Sequence, residues 1–69
     1  MLFESIPRGS IAAQLTAADM LARLQDHPNA SIELHQAVTV IGNYIVDPAF
    51  ELSDSEIKAN IEFVAQLYS

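Results

Sequence analysis

Apolar positions recur along this chain at the spacing of a helix rather than a strand. At roughly 100° per residue, Leu34, Ala37, Val38, Ile41, Tyr44 and Ile45 fall on one arc, with Val40 at its edge. His35, Gln36, Thr39, Gly42 and Asn43 gather on the opposite side. The β-branched content and the Gly42-Asn43 pair also allow a hairpin, with Val38 to Ile41 as one arm and Tyr44 to Val46 as the other. That hairpin would carry apolar side chains on both faces, and an isolated two-stranded hairpin is marginal in water. The pattern therefore predicts a helix within 32–46, with Ser31 or Asn29 as its N-cap. Gly42 destabilises a helix interior by about 1 kcal/mol relative to Ala, so its presence points to a close helix crossing or a bend. If a second copy approaches there, Gly42→Leu should weaken the pair.

The third segment is the plainest. Ser53 and Glu56 have the spacing of a capping box, and Asp54 with Glu56 puts negative charge at the positive end of the helix dipole. Ile57, Ile61, Val64 and Tyr68 follow on one face, which predicts a helix within 54–68. The first segment, within 10–26, carries two stripes: Ala17, Met20, Leu21 and Leu24 on one face, and Ile11, Leu15, Ala18 and Ala22 on another. It is either one helix capped by Ser10 or a helix broken near Thr16, whose spacing to Asp19 resembles a capping box. His27 precedes Pro28, which disfavours the α conformation and ends the segment.

These elements predict an all-α fold: one domain over 1–69, a three-helix bundle with an apolar arm at 1–9. The expected core comprises Leu15, Leu21, Leu24, Leu34, Val38, Ile41, Ile45, Ile57, Ile61 and Val64. A bundle of three short helices cannot hide this core and also the second stripe of the first helix, Phe63 and the arm. A homodimer is the expected consequence, with helices 1 and 2 in a symmetric interface.

Composition sharpens that expectation. Of 69 residues, 51% are apolar and 17% are charged, which is too apolar for a disordered chain and rather too apolar for a small solitary domain. The absence of cysteine excludes disulfide staples and thiolate metal sites. The net charge of −6, with Arg8, Arg23 and Lys58 as the cations, provides no basic patch for phosphates or anionic lipid. Neither a nucleic acid nor a membrane is expected as a partner. The most apolar short stretch, 37 to 41, is interrupted by Thr39 and is far too short to span a bilayer, and no signal-peptide pattern is seen, so a cytoplasmic location is expected.

Candidate chemistry is sparse. His27 and His35 flank a Pro-Asn turn and make no HxxxH pair, so no metal or cofactor is expected. The serines lie in no nucleophile elbow, and the two glycines form no phosphate-cradling loop. The carboxylates near 54–56 are better placed for the helix dipole than for acid–base work. No enzymatic activity is expected. The arm, with Leu2, Phe3 and Ile6, either straps its own bundle or reaches a neighbour. The residues expected to face a partner are Leu2, Phe3, Ile6, Ile11, Met20, Val40, Tyr44 and Phe63. The expected function is a non-catalytic protein-binding module, a small acidic regulator or inhibitor of the type common among phage-encoded and mobile-element modulators. It would pair with itself and dock onto another protein. The rival expectation is a structural or accessory subunit of a larger complex.

Overall fold

The computed structural model describes residues 5–69. Three α-helices run in order, α1 over Ile11–Gln25, α2 over Ile32–Val46 and α3 over Asp54–Val64, and the chain closes in a 3-10 turn over Ala65–Tyr68. Each α-helix starts at a serine whose hydroxyl accepts a bond from a first-turn amide. Ser10 Oγ accepts from Ala13 N, Ser31 Oγ from Leu34 N and Ser53 Oγ from Glu56 N. At Ser53 the capping box closes in both directions, as Glu56 Oε1 accepts the Ser53 amide. Such caps satisfy amides that have no partner within the helix, and each is worth about 1 kcal/mol.

α2 is the central element, packed against α1 on one side and α3 on the other. Its buried stripe of Leu34, Ala37, Val38, Ile41 and Ile45 meets Ala13, Met20 and Leu24 from α1, Val64 from α3 and Leu67 from the 3-10 turn. Burying a Leu, Ile or Val side chain contributes about 1.5–3 kcal/mol, so this one stripe supplies much of the drive to fold. No charged or polar side chain is buried among the described residues.

The structure decides between the two forms open to the first helix and corrects other expectations. α1 is continuous through Thr16, whose hydroxyl donates to Ala12 O at 2.8 Å within the helix and caps nothing. Leu15 and Leu21, expected in the core, point outward and are 67% and 52% exposed. Met20, expected to face a partner, is wholly buried. The reason lies in the crossing of α1 and α2. The face that α1 turns inward is built from Ala13, Ala17, Met20 and Leu24, and its small side chains let the helix come close at Gly42. A Cβ on Gly42 would lie 3.8 Å from Met20 Cε and 4.0 Å from Ala17 Cβ. The close helix crossing that Gly42 pointed to is thus made with α1 of the same chain rather than with a second copy. Ile57 and Ile61 are half-buried rather than fully enclosed, and the last turn expected of α3 tightens to the 3-10 form.

The chain entering α1 is fixed to the far end of α2. α2 has no basic residue in its last turn, and Arg8 supplies the cation from outside. Its Nε donates to Tyr44 O at 2.8 Å, and its Nη2 donates to Asp47 O at 3.0 Å and to Phe50 O. The guanidinium also lies 3.8 Å from the centroid of the Tyr44 ring. A positive group there satisfies orphan carbonyls and opposes the negative end of the helix dipole. Beside it, Gly9 N donates to Ile45 O at 2.8 Å with φ at 77°. A side chain at Gly9 would be strained by that angle and would also place its Cβ 2.8 Å from Pro48 Cγ.

Candidate functional surface

The reactive groups singled out from the sequence are absorbed by local structure. The hydroxyls of Ser10, Ser31 and Ser53 act as helix caps, and Glu56 completes a capping box instead of facing a second carboxylate as an acid–base partner. Among the described residues, no group of three metal-capable side chains comes together, and no helix is long and apolar enough to cross a membrane. An apolar hollow of about 210 Å³ lies between α2, α3 and Ile6, with Ile41, Tyr44, Ile45, Ile57 and Ile61 on its walls. Small-molecule sites run from roughly 300 Å³ upward and carry convergent polar groups. Here the charged lining group is Arg8, already engaged with three carbonyls and a ring.

The exposed apolar surface is concentrated on α1. Ile11 is 75% exposed, and with Leu15, Leu21, Ala18 and Ala22, all exposed, it makes an apolar strip on the side of the helix away from the core. Gln14 and Gln25 are the polar groups within this strip, so from Ile11 to Gln25 the face carries no formal charge, and the exposed C-cap Asp26 follows at its end. Past Leu21 the strip runs into a shallow groove where Ala17 of α1 meets Thr39, Gly42 and Asn43 of α2.

The strip's other border is a cluster joining α1 to the end of the chain. Asp19 Oδ2 accepts from Arg23 Nε at 2.9 Å and from Tyr68 Oη at 2.9 Å, while Arg23 lies 4.3 Å over the Tyr68 ring and donates through Nη1 to Leu67 O at 3.4 Å. The bond from Arg23, reinforced by that from Tyr68, holds the Asp19 carboxyl below its usual range. Arg23 is pushed upward by the same carboxylate. Burial, followed by the bond to Asp19, pushes the Tyr68 phenol up to about 12. The cluster is a neutral pair with an un-ionised phenol, so the border adds no net charge to the strip.

Of the residues expected to face a partner, the structure brings few together. Ile11 lies on the strip and Phe63, 36% exposed, is on α3. Ile6 is half-buried and packs against the core. Tyr44 is half-buried beneath Arg8, and Val40 is half-buried on α2. Met20 is internal, and Leu2 and Phe3 lie outside the described residues. Leu15 and Leu21 were expected in the core, and Ala18 and Ala22, on the stripe that a three-helix bundle cannot hide, were not among the residues named as facing a partner. The signal for three of them was the second stripe itself, which includes Leu15, Ala18 and Ala22 and leaves no room for them inside a bundle whose first stripe is already packed. No protein-family model, curated protein or solved structure matches this chain.

Proposed function

We propose that this chain is a non-catalytic protein-binding module whose docking surface is the outer face of α1. One observation carries the reading: a folded helix that already buries one apolar face presents a second, uncharged one to solvent. Leaving side chains such as Ile11 and Leu15 open to water has an aggregation cost that a surface used for docking offsets. The helix-in-groove mode, in which anchors repeat at i, i+3, i+4 and i+7, fits Ile11, Leu15 and Ala18. The serine caps, the arginine bonded to α2 carbonyls and the Asp19 cluster all support a role in which side chains build a scaffold instead of performing chemistry.

The test is site-specific photo-crosslinking from position 18 in the host cell. The proposal expects protein adducts that disappear when Leu15 and Leu21 are both changed to Gln. Absence of any protein adduct, with the chain folded and present, would contradict it.

A further inference from the structure

We infer that the occupant of this face is a second copy of the chain, with the two α1 helices packed antiparallel about a two-fold axis at Ala18; the inference rests on reading the face as a docking surface. Charge comes first. Two chains of net charge −6 repel each other, and they can meet only where neither presents unpaired charge. The strip on α1 is such a place, because its own side chains are uncharged and the carboxylate along its border, Asp19, is neutralised by Arg23 at 2.9 Å, while the exposed Asp26 at the C-cap falls, in an antiparallel pair, beside the positive N-terminal end of the other α1. Elsewhere the exposed carboxylates of Asp47, Glu51, Asp54, Glu56 and Glu62 crowd α3 and the turn before it. A basic partner would be drawn to those groups and would gain nothing from a face without charge.

The arrangement along the helix fits a two-fold pair. α1 runs from Ile11 to Gln25, so Ala18 is its midpoint. Leu15 and Leu21 stand three residues before and after it, which places them roughly 60° to either side of Ala18 around the helix axis. An isologous antiparallel contact requires that residue i meet residue j and residue j meet residue i. About Ala18, Leu15 falls opposite Leu21 of the partner subunit, and Ile11 falls opposite Gln25 of the partner subunit. Ala18 and Ala22 keep the crossing thin, so that two helix axes can approach to the lower end of the usual 8–10 Å. Antiparallel packing also sets opposite dipole ends side by side, whereas a parallel pair would align like ends. A helix of this length, about 22 Å, makes a small interface, so the dimer should dissociate on dilution.

Sedimentation equilibrium of the whole chain tests this. The wild type should show a concentration-dependent monomer–dimer equilibrium that strengthens as salt rises, because salt screens the repulsion between two acidic chains. Ala18→Glu and Ala18→Lys, both at an exposed helical position, should each keep the wild-type helical circular dichroism and lose association by roughly a hundredfold or more. An equimolar mixture of the two should associate again, since opposite charges then meet at the axis. If either variant fails to fold, the Leu15→Gln, Leu21→Gln double variant should weaken association in its place. A wild type that stays monomeric at every concentration would overturn the inference, as would undiminished association of the folded variants or a mixture that stays monomeric. Protein adducts from position 18 that contain another protein but no second copy would remove the self-pairing and leave the docking surface standing.

Discussion

α1 and α2 are the same length, fifteen residues each, and both carry abundant apolar side chains, yet they use them differently. α2 has a single apolar stripe, and five of its side chains are buried between two neighbours. α1 buries three and leaves Ile11, Leu15 and Leu21 in water. α2 lies between α1 and α3, whereas α1 lies at the edge of the bundle and has helix neighbours on one side. Hydrophobic period therefore reports that a face will be covered; the number of neighbours within the chain decides whether the chain itself covers it.

The largest expected effect separates the two helices by stability. Ile41→Ala on α2, at a side chain 1% exposed, should cost about 2–5 kcal/mol in denaturant unfolding. Leu15→Ala on α1 should stay within about 0.5 kcal/mol when measured on the dilute monomer. Similar costs at both sites would break the comparison, since Leu15 would then be packed inside the monomer.

Next comes the junction that holds the start of α1 to the end of α2. Gly9→Ala forces a side chain onto a backbone with φ at 77° and toward Pro48 Cγ at 2.8 Å. It should lower stability by about 1–3 kcal/mol in thermal or denaturant unfolding. A neutral result would mean that the Arg8 and Gly9 attachment to α2 is dispensable.

Gly42→Ala acts in the opposite direction. Its new methyl group would meet Met20 and Ala17 at ordinary van der Waals distance, while helix propensity gains up to about 1 kcal/mol. The variant should be more stable than the wild type by a fraction of that amount. A loss of stability would show that the α1–α2 crossing is tighter than described.

The smallest effect concerns the Asp19 border. Tyr68 has its pKa raised from 10.0 to about 12 in the fold, so the stabilisation from its neutral phenol is complete below its unfolded pKa and is lost as pH rises through the folded value. Phenolate absorbance should show late ionisation that Tyr68→Phe removes. Asp19, with its folded pKa depressed, should instead protonate below the ordinary carboxylate range, and the pairing with Arg23 should fade only in acid.

Much of this architecture could be read from the residues. Ser31, Ser53 and Glu56 marked helix starts, and Leu34, Val38, Ile41 and Ile45 marked one buried face, because caps and periodicity are local signals. Leu15 was misplaced since both stripes of α1 are apolar, and the choice between them depends on side-chain size at the crossing with Gly42; Leu21 stands at the edge of the inward stripe, where it lines the open groove between α1 and α2. Ala13, Ala17 and Gly42 are small, which favours the inward face that the structure shows. Arg8 could not be placed from the sequence, because its partners at Tyr44, Asp47 and Phe50 are far along the chain. The absence of a basic residue in the last turn of α2 is the trace it leaves. Of the candidate surface, the second stripe was legible as a pattern, and what covers it was not, since that information belongs to a molecule outside the chain.

The most direct measurement is a dilution series followed by methyl NMR. The methyl resonances of Ile11, Leu15 and Leu21 should shift with protein concentration while those of Ile41 and Ile45 stay fixed. Shifts absent from α1, or centred instead on Ile32 or on the surroundings of Phe63, would contradict the pairing of two copies through the outer face of α1.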